Sequence, residues 1–194
     1  KAERAEKLLL IKVPITLEKK DFKKKKKKKK MKVVIVSGSV RTGRQSQKAA
    51  QYLEKELLGR GIGTEIIDLA DYSLPIMEER ITRDPEAPEA ALQISEKLKF
   101  ADAIVLVTPE YHGSFSGVLK NALDYFGTEF AKKVVGVVTV SGGKMGGINA
   151  SVQLQHVILS MGAFPLPQKF LVGEIQNAFD EELKPKTELL AKQA

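Results

Sequence analysis

The chain alternates between two hydrophobic periodicities. Val33-Val34-Ile35-Val36 is an unbroken β-branched run, the pattern of a strand buried on both faces. Residues 46–58 then place Ala49, Ala50, Leu53, Leu57 and Leu58 at helical spacing, and Gly59 and Gly61 end that segment. Thr64 to Asp68 predicts a second short strand. Residues 69–88 hold three prolines and many acids and read as an irregular excursion. Residues 89–100 predict a helix through Ala91, Leu92, Ile94, Leu98 and Phe100. Ala103 to Val107 is a third strand, almost wholly apolar. Residues 115–126 return to helical spacing, Val134 to Val140 forms a fourth strand, and residues 148–161 form a helix ended by Gly162. A fifth strand lies within 164–172, and a short helix is expected to close the chain near 180–192.

Strand and helix alternate throughout. Alternation with nearly continuous apolar strands predicts a parallel sheet covered by helices on both faces, an α/β fold. Right-handed crossovers restrict its topology to a few doubly wound orders. Ligands in such sheets bind beyond the carboxyl ends of the strands. The loops after strands one, three and four are therefore the ones to inspect.

The first loop, Gly38-Ser39-Val40-Arg41-Thr42-Gly43-Arg44-Gln45-Ser46, leaves a buried strand and opens a helix. A helix N-terminus offers free backbone N–H groups and about half a positive charge. Ser39, Thr42 and Ser46 add hydroxyls, and Arg41 or Arg44 could fork onto a phosphate. The nucleotide P-loop fails here, because Arg44-Gln45 stands where Lys-Ser/Thr is required, and the dinucleotide GxGxxG spacing fails too. An ordinary capped strand-to-helix turn is the competing reading.

The second loop runs from Thr108 through Pro109, Glu110, Tyr111, His112, Gly113 and Ser114 to Gly117. His112 is a candidate polar contact or general base, although no partner for it stands in the sequence. No second carboxylate accompanies Glu110, so a glycosidase-type acid pair is not supported. The third loop, Ser141-Gly142-Gly143-Lys144-Met145-Gly146-Gly147, has more glycine than a tight turn needs and suits close backbone approach to a flat ligand.

Composition narrows the chemistry. The 194 residues contain no cysteine and two histidines, which excludes thiolate chemistry and disulfides and leaves little for a metal centre. No apolar run reaches the roughly 20 residues of a membrane helix. The net charge of +8 is uneven: residues 1–30 carry 14 Lys/Arg and 4 Asp/Glu, including eight consecutive lysines from Lys23 to Lys30. Residues 31–194 carry 18 basic and 20 acidic residues and show no basic face suited to nucleic acid. Residues 1–30 are expected to be an extension outside the native domain, which spans 31–194. Lys12 and Pro14 interrupt its apolar stretch, so it does not read as a secretory signal, and a cytoplasmic location is expected.

The stretch GSVRTGRQS resembles the phosphate loop GSxRxxS of the NADPH-dependent FMN reductase family. TPEYHGSFSGVLKNALDYF resembles that family's P-E-Y-N-G-S…LKNA-D motif, and SGGKMGG is similar to its third flavin loop. The resemblance implies a flavodoxin-like three-layer sandwich with a five-stranded parallel sheet of order 2-1-3-4-5. It implies FMN phosphate contacts from Ser39, Arg41, Ser46 and Gln47. It further implies an isoalloxazine ring resting on Pro109, Glu110, Tyr111, His112 and Gly113, with Ser141, Gly142 and Gly143 at another edge. His112 replaces the family's usual Asn, and Gln47 stands where Asn is frequent.

The activity implied is ping-pong transfer of hydride from NADPH through FMN to flavin, quinone or azo acceptors, with no obligatory side-chain acid or base. Ser114 and His112 are candidates to orient the acceptor, and Arg41 or Arg44 to meet the NADPH 2′-phosphate. A homodimer or homotetramer is implied, and Lys120, Asn121 and Asp124 read equally as a solvated helix face or a subunit contact. Asp68 reads as a loop or cap residue, His156 as surface, and Tyr125 and Phe126 as core or interface. The alternatives are a flavodoxin-type electron carrier without NADPH oxidation, a phosphate-binding module without flavin, and a nucleic-acid binder acting through residues 1–30.

Overall fold

A computed structural model describes residues 30–193. The basic extension expected over residues 1–30 therefore lies, apart from Lys30, outside the described residues. Parallel strands β1 (Lys32–Ser37), β2 (Gly63–Asp68), β3 (Ala103–Tyr111), β5 (Val134–Val140) and β6 (Phe164–Val172) form one sheet in the order β2-β1-β3-β5-β6. A two-residue strand, β4 (Ser114–Phe115), pairs antiparallel with the end of β3. Counting only the parallel strands, the order is the expected 2-1-3-4-5, and the fold is flavodoxin-like.

Helices cover both faces because successive strand residues point to opposite sides. Val34, Val36, Ile104 and Leu106 pack on one side with Ile94 and Leu98 of α2 (Glu89–Phe100), Leu119 of α3 (Gly117–Asp124) and Leu154 and Ile158 of α4 (Ile148–Ser160). Ile35, Val107 and Val138 pack on the other with Ala49, Ala50 and Leu53 of α1 (Ser46–Gly59) and with Ile175, Phe179 and Leu190 near the C-terminus. The inner strands β1, β3 and β5 read as apolar runs because both of their faces are buried.

Three elements differ from their sequence expectation. The third strand runs on past Val107 to Tyr111, through Pro109. Strand β1 ends at Ser37, opposite Val107, so beyond that point β3 has lost one neighbour and tolerates a residue without an N–H. Helix α3 begins at Gly117 rather than 115, because Ser116 is its N-cap and accepts the Leu119 N–H at 3.3 Å. The helix expected near 180–192 is the single turn α6 (Glu188–Ala191), preceded by another single turn, α5 (Ile175–Ala178), directly after β6. The chain between them turns through Asp180 and bridges Phe179 to Pro185, where a proline cannot continue a helix.

The excursion after β2 is anchored rather than loose. Asn121 of α3 donates through Nδ2 to the Pro75 carbonyl at 2.7 Å and accepts the Met77 N–H at 2.9 Å. The Tyr125 hydroxyl donates to the same Pro75 carbonyl at 3.2 Å. Lys120 and Asp124 pair with each other at 2.7 Å along the exposed helix face. Tyr125 and Phe126 are buried core residues, and His156 is exposed.

Strand β6 is an outer strand of the sheet, paired only with β5. It carries Pro165 and Pro167, and its register against β5 shifts between Val135 and Val137.

Candidate cofactor site

A cleft of about 370 Å³ opens at the carboxyl rim of the sheet. Parallel strands bring every βα loop to this one rim, which explains why segments distant in sequence meet there. From the first loop, Ser39, Arg41 and Ser46 line it; from the end of β3, Pro109, Glu110 and Tyr111; from the third loop, Ser141 and Gly142. Gln47, His112, Gly113 and Gly143 are not among its lining residues. Thr42, Gly43, Arg44 and Gln45 complete the first-loop wall.

The phosphate-loop end has the features an anion needs. Ser46 is the first residue of α1, it is 1% exposed, and its hydroxyl has no hydrogen-bond partner among the described residues. No side chain caps this helix N-terminus. A buried hydroxyl and an uncapped N-terminus are costly unless an external acceptor satisfies them. The exposed Arg41 guanidinium has no ion-pair partner among the described residues. Arg44 is committed elsewhere: Nη2 meets Asp68 Oδ2 at 2.5 Å and Nη1 donates to the Ser39 carbonyl at 2.8 Å. Gln47 accepts the Ser37 hydroxyl at 2.7 Å. These residues fit a phosphate-bearing cofactor such as FMN.

The middle of the cleft is built by β3 and its hairpin. The hydroxyls of Ser39 and Tyr111 share a hydrogen bond at 3.2 Å, linking the first and second loops. Gly38 lets the first loop pass close to α3: a Cβ there would lie 2.9 Å from the Leu119 Cβ. The buried Ser116 hydroxyl donates to the Gly38 carbonyl. Beyond Tyr111 the chain reverses through His112 (φ 51) and Gly113 (φ 76), both left-handed. Two such residues joining paired strands form a type I′ hairpin turn, for which Asn-Gly is the favoured sequence. The family's Asn at the His112 position thus has a backbone reason, and histidine also tolerates positive φ better than most side chains. Ser114, a candidate to orient the acceptor, donates to Gln153 Oε1 on α4 at 2.8 Å.

The third loop is held from below and from the side. Thr139 donates to the Gly146 carbonyl at 2.8 Å, and Ser141 donates to the Gly143 carbonyl at 2.8 Å. A Cβ on Gly147 would lie 2.9 Å from the Thr139 Cβ, and its φ of 82° is left-handed. The Glu110 carboxylate accepts from the Ala150 N–H and from Asn149 Nδ2.

Sequence reasoning missed one wall. Val140, Ile175 and Gln176 also line the cleft, and Gln176 Nε2 donates to the Gly142 carbonyl at 3.4 Å. The signal was available: the segment after the fifth strand shares the carboxyl rim with the other three loops.

Among the described residues no group of His, Cys, Asp or Glu could hold a metal ion, and no helix is long and apolar enough to cross a membrane. Residues 31–177 match the family model described as NADPH-dependent FMN reductase. The chain belongs to this family. It is 33% identical over 158 residues to an NADPH azoreductase of Bacillus sp. (strain OY1-2), covering 79% of this chain and 84% of that one. It is 32% identical over 155 residues to the FMN-dependent NADPH-azoreductase of Staphylococcus aureus, covering 77% and 80%. Among solved structures it superposes on FerB, a flavoenzyme NAD(P)H:(acceptor) oxidoreductase from Paracoccus denitrificans. The TM-score is 0.69 and the identity 27%, over 84% of this chain and 90% of that one. As an FMN reductase family member the chain is an oxidoreductase with FMN and NADPH as cofactors.

Proposed function

We propose that the cleft holds FMN with its phosphate at the α1 N-terminus, and that the protein reduces quinone, azo or free flavin acceptors with NADPH in a ping-pong cycle. The observation that carries this reading is the buried Ser46 hydroxyl, unpartnered among the described residues, at the uncapped start of a helix; Arg41, which has no ion-pair partner among those residues, lines the same cleft. When bound, FMN supplies the redox chemistry, accepting hydride from NADPH and passing it to the second substrate. The protein's part is to bind, orient and polarise. Ser46 and Arg41 hold the phosphate, with Ser39 beside them on the same loop. Pro109, Glu110 and Tyr111 form the wall along which the ring system lies, with His112 and Gly113 at the hairpin tip. Ser141 and Gly142 line the opposite edge with Gly143 following them; the Ser141 N–H is donated to the Val172 carbonyl, so the glycine N–H groups are the ones that would favour negative charge on the flavin. No side-chain acid or base is assigned a proton.

The same reading takes residues 31–194 as the working domain, acting in the cytoplasm as a homodimer or homotetramer without nucleic acid or membrane. Sedimentation would establish the state.

The test is anaerobic. Purified protein is loaded with FMN and NADPH is added while the flavin's visible band is followed. Bleaching, then recovery when a quinone or azo dye is admitted, is expected. Bound flavin that NADPH leaves oxidised would sink the reductase reading and leave an electron carrier.

A further inference from the structure

We propose that Arg44 and Asp68 are a positioning pair for the phosphate end of the site. On this view Arg44 shapes the loop that receives the phosphate and does not bind the phosphate itself. The proposal rests on the FMN reading above.

Each partner makes two contacts. Arg44 Nη2 meets Asp68 Oδ2 at 2.5 Å, and Nη1 donates to the Ser39 carbonyl at 2.8 Å. Asp68 Oδ1 accepts the Ala70 N–H at 3.1 Å, capping the 3-10 turn Leu69–Asp71 that follows β2. Asp68 is 8% exposed and lies beside Ser37 in the β1–β2 register. The pair therefore runs from the end of β2, past the end of β1, to the backbone of Ser39. A planar guanidinium suits this task because one rigid fork reaches two acceptors at once. Lysine, a single point charge, cannot hold both in the same way.

Two consequences follow for the loop. The carbonyl of Ser39 is fixed, and with it the hydroxyl that meets Tyr111 at 3.2 Å. The charge of Arg44 is balanced by Asp68, which leaves Arg41 as the first loop's guanidinium without an ion-pair partner among the described residues.

Charge and geometry predict opposite signs when Asp68 is removed. By charge alone, deleting a carboxylate near the phosphate pocket and freeing Arg44 tightens an anionic ligand. If the pair sets the loop's shape, the same deletion loosens it. We commit to the second.

The experiment uses the full chain stripped of flavin. Affinities for FMN and for riboflavin, which lacks the phosphate, are read by flavin fluorescence for wild type, Asp68→Ala and Arg44→Lys. Thermal midpoints are recorded without flavin. In both variants the FMN dissociation constant should rise about tenfold or more, while that for riboflavin stays within about twofold. FMN affinity unchanged or tighter in either folded variant would overturn the proposal. So would equal losses for FMN and riboflavin, which would mark the pair as general scaffold. If Asp68→Ala does not fold, Arg44→Lys decides alone, since it keeps the charge and removes only the fork. Wild-type protein that binds neither flavin would overturn the FMN reading itself, and the pair's role with it.

Discussion

The Glu110 carboxylate accepts the backbone N–H of Ala150 at 3.1 Å, so the end of β3 is tied to the first turn of α4. Asn149 Nδ2 reaches the other oxygen at 3.4 Å. An acid at a helix N-terminus is electrostatically favourable. Helix α4 thus has its positive end occupied from within, while no side chain caps that of α1.

Replacing Glu110 tests that tie. Glu110→Ala strands the Ala150 N–H and should lower stability by about 1–3 kcal/mol and weaken FMN retention. Glu110→Gln keeps an oxygen acceptor and should recover most of the stability. Denaturant unfolding of the two variants, with dialysis against FMN, separates these outcomes.

Ser46→Ala should have an inverted profile. The hydroxyl makes no hydrogen bond within the described protein, so its removal should leave the flavin-free protein as stable as wild type, or slightly more so. FMN affinity should fall about tenfold. Loss of stability without loss of affinity would remove Ser46 from the phosphate contacts.

Much of this was legible beforehand, for physical reasons. The β-branched run at Val33–Val36 and the helical spacing of Ala49, Ala50 and Leu53 each report burial directly, and burial is what the fold fixes. The extension of β3 through Pro109 was hidden, because a proline ends a strand unless one neighbour is already missing, and that depends on where β1 stops. In the site, residue types suggested an anion pocket but could not distinguish Arg41 from Arg44, of which the second is held in an ion pair. That distinction depends on Asp68, which is 24 positions away in the chain and becomes adjacent only through strand pairing. Ile175 and Gln176 carry no motif, and only the sheet's polarity places them.

His112 should report on backbone geometry. Its φ of 51° is strained for a β-branched residue, so His112→Val should cost about 1–2 kcal/mol. His112→Asn, the favoured residue of a type I′ turn, should be neutral or stabilising by a few tenths of a kcal/mol. Thermal unfolding of both variants would check the ranking.

The buried Glu129 should contribute an acid-sensitive share of stability. Burial pushes its carboxyl upward, but hydrogen bonds from the Ser95 hydroxyl at 2.7 Å and the Gly127 N–H at 3.1 Å, with nearby Lys99, hold it below the ordinary value of 4.5. A depressed folded-state value means the contribution is complete above the unfolded value and is lost as pH falls through the folded one. Glu129→Gln should therefore cost about 1–3 kcal/mol at neutral pH, and the gap to wild type should narrow as pH drops below 4.5. A gap that stays constant from neutral to acid pH would contradict this account.

Pro165 and Pro167 shape what the molecule can build. Each deprives the outermost strand of a donor, and the slipped register beside them bends the ribbon. Another copy cannot easily zip onto that margin to extend the sheet into a fibre. Whatever quaternary arrangement forms is steered away from this border of the sheet.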